Sequence, residues 1–130
     1  MAERTHQTKN YLGQSKSCSS CGRAFSYQKR WRNNWQSVRY CSDRCRREKL
    51  NKTDKALEEA ILRLLVKREK GKTICPSEAA RVVSEDWQGM MERSRRAARR
   101  LVAAGKLEIL QNSKVVGPST AKGPIRLRLK

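Results

Sequence analysis

This chain of 130 residues is poor in acidic residues, in histidine and in long apolar stretches. Aspartate and glutamate number 12 against 31 lysines and arginines, which gives a formal charge of +19. No stretch approaches the roughly 20 apolar residues of a membrane span. The N-terminus, from Met1 to His6, has no apolar run of the kind that a secretory signal contains. These absences argue against a membrane or secreted protein and predict a cytoplasmic location.

Large aliphatic side chains are also scarce in the first 50 residues, where only Leu12, Val38 and Leu50 occur. A unit of that size cannot bury enough apolar surface to fold by itself. A bound metal ion is one way to supply the missing stability, because its binding free energy becomes folding free energy. The later residues are richer in aliphatics, so we expect an ordinary hydrophobic core there.

Four of the five cysteines form two close pairs, Cys18 with Cys21 and Cys41 with Cys45. Two such pairs on either side of a spacer are typical of a single tetrahedral zinc site, and Gly22 follows the first pair where a metal-binding turn often needs a positive φ. Two disulfides, in three pairings, are disfavoured because a cytoplasmic chain keeps its thiols reduced. The same four sulfurs can also hold iron, so an iron centre remains an alternative to zinc. We therefore predict one structural Zn²⁺ held by these four cysteines.

An enzyme is not expected from this residue set. Four cysteine ligands would close the coordination sphere of the zinc ion and leave no position for a reactive water. His6 is the only histidine and lies in a polar N-terminal stretch, so no serine or cysteine has an evident imidazole base. We expect neither a catalytic residue nor a small-molecule substrate.

The composition shifts along the chain and predicts two folded parts of an α+β, mainly helical protein. Residues 1–16 are polar and predict a disordered tail, residues 17–50 a zinc module, and residues 51–130 a second domain. In the module, short strands are expected around Phe25–Tyr27 and Val38–Tyr40, and Ser42 can cap a helix. A hairpin and a helix start that supply two ligands each would make a treble clef.

Residues 51–130 have the order of elements of a winged helix, with three helices followed by a small hairpin. Thr53 or Asp54 is expected to cap the first helix, which ends near Gly71. Cys75 is expected to be a buried cap residue rather than a fifth ligand, with Pro76 at the first position of the second helix. The remaining predicted elements are a helix over 90–104 and strands over 107–110, 115–116 and 125–129.

Particular motifs in both parts resemble two families. The residues C-x-x-C-G-R, W-R-N-N-W and R-Y-C-S-D-R-C-R, within 18–47, resemble a bacterial zinc-finger-like family known as domain of unknown function 2256. K-T-I-C-P-S-E-A-A-R, D-W-Q-G-M-M, R-R-A-A-R-R-L and G-P-I-R-L-R-L, within 55–129, resemble domain of unknown function 3253. The second resemblance implies a winged-helix-like fold, in which an aliphatic residue is usual where Ser94 stands. Neither resemblance implies an activity.

Nucleic-acid binding is the favoured function, with DNA preferred to RNA, because a strongly basic chain concentrates polyanions. In a winged helix the third helix reads the major groove with its polar face, and arginine suits both phosphate and guanine. A merely solvated basic face is the competing interpretation. The candidate contact residues are, on the third helix and the hairpin, Arg95, Arg96, Arg99, Arg100 and Lys114, and on the zinc module, Lys29, Arg30, Arg32, Arg44, Arg46 and Arg47.

A second hypothesis is a protein-interaction adaptor in which the zinc module docks a partner protein. The aromatic residues of the module bear on this choice, because exposed rings among cations can stack on unpaired bases. Trp31 and Trp35 are four residues apart and can instead pack together as a small core. We expect at least one of them to be buried.

Overall fold

The computed structural model describes residues 11–130, and it begins with a small antiparallel hairpin. Strand β1 (Ser15–Ser17) pairs with β2 (Ala24–Ser26). A disordered tail was predicted for residues 1–16. Residues 1–10 of it, which include His6, lie outside the described residues. Over residues 11–16 the prediction is wrong, because β1 starts there and the Lys16 ammonium donates to two backbone carbonyls, those of Trp35 and Val38. These contacts were missed because a three-residue polar strand has no apolar period.

An aromatic cluster takes the place of an aliphatic core in this N-terminal part. Trp35 is 1% exposed and stacks on Trp31 with ring centroids 5.6 Å apart. The rings of Phe25 and Tyr27 meet Trp35 edge-on. The prediction that at least one tryptophan is buried is confirmed. The predicted strand at Val38–Tyr40 is wrong, since that segment leads from a 3-10 turn into the next helix without pairing as a strand.

Helix α1 (Asp43–Arg47) starts as the sequence predicts, because the Ser42 hydroxyl accepts the Cys45 N–H at 3.2 Å. Helix α2 (Lys52–Lys67) starts earlier than predicted. Asn51, not Thr53 or Asp54, is its cap, and the side chains of Asn51 and Asp54 each accept the other's backbone N–H at 3.0 Å.

Helices α3 (Pro76–Val83) and α4 (Met91–Ala103) pack with α2 around the main core. Pro76 occupies the predicted first position of α3, and the half-buried Cys75 caps that helix, with its N–H donating to the Glu78 carboxylate at 2.8 Å. Ser94 is fully buried on α4, and its hydroxyl donates to the Pro76 carbonyl at 2.8 Å. Its polar side chain thus links α4 to the start of α3.

Three strands close this core in the antiparallel order β4-β3-β5. They are β3 (Leu107–Gln111), β4 (Lys114–Val116) and β5 (Arg126–Leu129). Ile74, just before α3, forms an isolated bridge with Leu127 and extends the sheet. No helix among residues 11–130 is long and apolar enough to cross a membrane. The fully or almost fully buried aliphatics of the core are Leu57, Ile61, Leu65, Ile74, Leu101, Leu107, Ile109 and Leu127.

Candidate metal centre

The four predicted cysteines come together into one cluster that could hold a metal ion. The loop between β1 and β2 supplies Cys18 and Cys21, and the start of α1 supplies Cys41 and Cys45. All four sulfur atoms lie within 4.8 Å of one another. The Sγ atoms of Cys41 and Cys45 are 3.6 Å apart, and those of Cys21 and Cys41 are 3.8 Å apart. Residues 20 positions apart in sequence thus present their thiols to a common centre.

Backbone N–H groups surround the sulfur of Cys18. The N–H groups of Ser20 and Cys41 both donate to this Sγ at 3.4 Å. The loop closes through the Gly22 N–H, which donates to the Cys18 carbonyl at 3.0 Å, and Gly22 has a φ of +78°. This is the backbone conformation that the sequence predicted for that glycine. The two backbone N–H groups that donate to the Cys18 sulfur stabilise a negative charge on it.

The pKa values of the cysteines diverge because of these surroundings. Burial raises the pKa of the Cys41 thiol to about 12, and a hydrogen bond with Cys45 adds to the effect. Burial likewise raises the pKa of Cys21. Burial also acts against ionisation of Cys18, but backbone N–H groups of Cys21, Cys41 and Ser20 outweigh it and lower its pKa to about 7. Because thiols must lose their protons to bind a metal ion, metal binding would release protons from this cluster.

Helix α4 lies directly against this cluster, which corrects the prediction of an outward arginine face. Arg99 is 5% exposed and its Nε donates to the Cys21 carbonyl at 2.6 Å. The Arg100 side chain is 9% exposed and its Nη1 donates to the Ser20 carbonyl at 2.8 Å. The Arg96 side chain, 19% exposed, donates from Nη2 to the Ser20 hydroxyl at 2.8 Å. These three arginines are engaged within the protein and are not an open reading surface.

Acidic side chains complete the ion pairs of the same three arginines. Glu58 of α2 lies 2.6 Å from Arg100 Nε, and Glu92 lies 2.9 Å from Arg99 Nη2. Burial disfavours the charged form of Arg96, but its neighbours Cys45 and Glu48 outweigh that effect and raise the pKa of Arg96 above its usual value. Each buried guanidinium is thus both paired and hydrogen-bonded, as a charge removed from water requires.

Close backbone packing accompanies these hydrogen bonds. A Cβ atom added at Gly22 would lie 2.4 Å from the Arg99 Cβ and 2.7 Å from the Arg100 nitrogen. The Ala24 N–H also donates to the Ser119 hydroxyl at 2.7 Å, which ties β2 to the segment between β4 and β5. The N-terminal part and the helical part therefore share a packed interface.

The remaining predicted contact residues, apart from Arg95, are exposed. Arg95 is half-buried on α4, and Lys114 is exposed at the start of β4. A groove of about 300 Å³ opens on the N-terminal part, with half-buried Trp31 and Tyr40 in its lining. Three exposed arginines line it as well: Arg30, Arg39 and Arg46. The predicted residues Lys29, Arg30, Arg32, Arg44, Arg46 and Arg47 are all exposed.

Sequence reasoning missed one participant in this arrangement. Ser20 is 2% exposed and gives both its hydroxyl and its carbonyl to α4 arginines. Arg39 lines the groove beside the predicted contacts Arg30 and Arg46. The chain offers no local signal for the Ser20 pairing, since its partners lie 76 and 80 residues away. The basic run around Arg39 was the available signal for the groove.

These observations define a small α+β protein whose four-cysteine cluster can hold a metal ion and packs against a helical part. The chain belongs to the family described as "Protein of unknown function (DUF3253)", whose family model matches residues 54–130. Residues 9–48 match a second family, "Uncharacterized protein conserved in bacteria (DUF2256)". No curated protein matches the chain. Both resemblances seen in the sequence motifs are thus confirmed, in the predicted order.

Proposed function

We propose that this protein holds one structural Zn²⁺ at its four cysteines and binds nucleic acid, rather than acting as an enzyme. Zinc–sulfur bonds of about 2.3 Å place the sulfurs of a regular tetrahedron about 3.8 Å apart. The separations of 3.6 and 3.8 Å described above agree with that value. Four thiolates would fill the coordination sphere, so the ion's role would be to stabilise the N-terminal part.

The order of elements supports a treble clef followed by a winged helix. The first cysteine pair lies in a hairpin loop and the second pair at a helix start, as in a treble clef. Helices α2, α3 and α4 precede the strands, and Ile74, between α2 and α3, bridges to Leu127 of β5. Such a strand after the first helix, joined to the C-terminal strands, is the connectivity expected of a winged helix.

The observation that carries the binding proposal is the concentration of exposed cations on the N-terminal part. Within residues 11–50 the only acids are Asp43 and Glu48. Asp43 pairs with Arg46, and Glu48 with Arg44 and Arg96. We define the basic face as seven of the exposed cations of this part: Lys29, Arg30, Arg32, Arg39, Arg44, Arg46 and Arg47.

The groove described above lies within the basic face, and its concave shape would suit a nucleic-acid strand. Guanidinium groups of Arg30, Arg39 and Arg46 would bind phosphates through paired hydrogen bonds. The half-buried rings of Trp31 and Tyr40 would offer apolar surface to a sugar or a base. Because α4 is covered, the basic face and the exposed Lys114, rather than the third helix, would carry most of the contacts.

A salt titration with matched variants tests this proposal. Binding of a labelled DNA duplex and of RNA is measured by fluorescence anisotropy between about 50 and 300 mM salt. The log–log slope should be about −0.9 for each phosphate contacted. The triple variant Arg30→Gln, Arg39→Gln, Arg46→Gln should bind more weakly and with a shallower slope.

The control variant removes the same charge elsewhere, at exposed positions of α2 and the following turn: Arg63→Gln, Lys67→Gln and Lys70→Gln. If both triples weaken binding equally, only the net charge matters and the groove has no special role. If the unaltered chain binds neither DNA nor RNA at the lowest salt concentration, the nucleic-acid proposal fails and the adaptor hypothesis takes its place. Metal analysis of the same preparation distinguishes zinc from iron.

A further inference from the structure

We propose that Arg96, Arg99 and Arg100 of α4 belong to the metal centre, so that the ion is held jointly by the N-terminal and helical regions of the chain. None of the three would bind the ion; they would position and neutralise the groups that do. This inference rests on the zinc component of the proposed function and does not require nucleic acid.

Charge balance is the first argument. Four thiolates around one divalent ion carry a net charge of −2, and the cluster is largely removed from water, with Cys18 at 2%, Cys45 at 7% and Cys21 at 8% exposure. A buried charge needs a partner. Arg96 Nη2 lies 3.7 Å from the Cys45 sulfur, close enough for a charge-assisted N–H···S bond. It is the α4 cation that reaches a ligand sulfur directly.

Positioning is the second argument. The loop that carries the first cysteine pair presents three groups to α4: the Ser20 hydroxyl, the Ser20 carbonyl and the Cys21 carbonyl. Each accepts a hydrogen bond from a different arginine of α4. Because these groups lie between or at the two ligands Cys18 and Cys21, the arginines fix the direction in which those sulfurs point. Groups that orient metal ligands in this way typically contribute about 10–100-fold in metal affinity.

The acids around the arginines keep them in place. Glu58 of α2 pairs with Arg100, and Arg100 Nη2 also donates to the Asp54 carbonyl at 3.3 Å. Arg99 pairs with Glu92 on its own helix. Arg99 and Arg100 are therefore held from the helical side where they meet the cysteine loop, whereas Arg96 pairs with Glu48 at the end of α1.

Metal-release kinetics of the full chain test the inference. Zinc-loaded protein is mixed with an excess of the chromogenic chelator 4-(2-pyridylazo)resorcinol, and the release rate is compared for Arg96→Gln, Arg96→Lys and Arg95→Gln. Arg95 is the matched control, since it lies on the same helix and makes no hydrogen bond to the cysteine loop among the described contacts. We expect about 10-fold faster release or more for Arg96→Gln, partial rescue in Arg96→Lys, and the wild-type rate for Arg95→Gln.

A cobalt-substituted sample adds a readout that a merely structural role would not move. Removing the positive charge beside the Cys45 sulfur should shift the sulfur-to-cobalt charge-transfer band of Arg96→Gln to lower energy, with the band shape of four sulfur ligands retained. The inference is overturned if Arg96→Gln releases zinc no faster than Arg95→Gln. It is also overturned if Arg96→Lys is as fast as Arg96→Gln, because the charge then has no effect.

If Arg96→Gln does not fold, the inference about α4 is tested on the wild-type protein alone. Hydrogen–deuterium exchange is followed for peptides of α4 and of α3 before and after chelation of the metal. Loss of the ion should raise exchange in α4 more than in α3, since α4 bonds to the cysteine loop and no described hydrogen bond joins α3 to it. Equal exchange in α4 with and without metal would overturn the inference. A wild-type chain that contains no metal would instead sink the zinc proposal itself, and the two failures are thereby distinguished.

Discussion

Replacing Gly22 by alanine measures how tightly the cysteine loop is packed on α4. Gly22 has a φ of +78°, which costs an L-residue about 1–2 kcal/mol. The new Cβ would also lie 2.4 Å from the Arg99 Cβ and 2.7 Å from the Arg100 nitrogen. Neither atom is the free end of a flexible side chain, so relief requires the loop to move away, at an overpacking cost of about 1–3 kcal/mol.

The two costs together predict that Gly22→Ala lowers the free energy of unfolding by about 2–5 kcal/mol. For a chain of this size that corresponds to a melting temperature lower by roughly 8–20 °C. The assay is thermal and urea unfolding of metal-saturated protein, followed by circular dichroism at a helix wavelength.

Gly105→Ala is the matched control, because Gly105 has the same φ of +78° and no atom within 4 Å of its added Cβ. Its loss should be the conformational cost alone, about 1–2 kcal/mol. The difference between the two variants isolates the clash with α4. If the two variants lose the same stability, the close packing of the loop on α4 is refuted, and with it the shared interface.

Two further predictions concern the metal and the first helix cap. Cys41→Ser should abolish stoichiometric zinc binding, as measured by elemental analysis. Cys75→Ser should keep about one zinc per chain, since Cys75 caps α3 away from the cluster. Retention of zinc by Cys41→Ser would contradict a four-cysteine site. Asn51→Ala should lower the free energy of unfolding by about 1 kcal/mol in urea titrations, because it removes half of the reciprocal capping of α2, while Lys52→Ala at the neighbouring exposed position should leave it within about 0.5 kcal/mol.

Much of the architecture could be predicted because it depends on local chemistry. The spacing of Cys18, Cys21, Cys41 and Cys45 indicated the cluster, and Ser42 and Pro76 marked the starts of α1 and α3. These signals act over a few residues, so one sequence suffices to read them. The strands β3 and β4 were likewise visible as short apolar stretches, and β5 in its apolar alternation.

The orientation of α4 could not be predicted, because it depends on a partner far along the chain. A helical wheel separates the apolar residues from the arginines, and arginines on the far side from the core read as solvated. Here the cysteine loop, 78 to 80 residues earlier, covers that side and accepts hydrogen bonds from Arg99 and Arg100. In a single sequence, a basic helix face that is exposed to solvent has the same pattern as a basic helix face that packs against another part of the chain.

The 2.7 Å hydrogen bond from the Ala24 N–H to the Ser119 hydroxyl has a practical consequence for protein engineers. Together with the seating of Gly22 against α4, it anchors the cysteine-bearing segment to a helix and also to the stretch of chain before β5. Grafting a different cysteine-rich segment onto residues 54–130 would then fail unless both anchors were rebuilt. The cysteine-bearing segment and residues 54–130 would therefore have to be transplanted together.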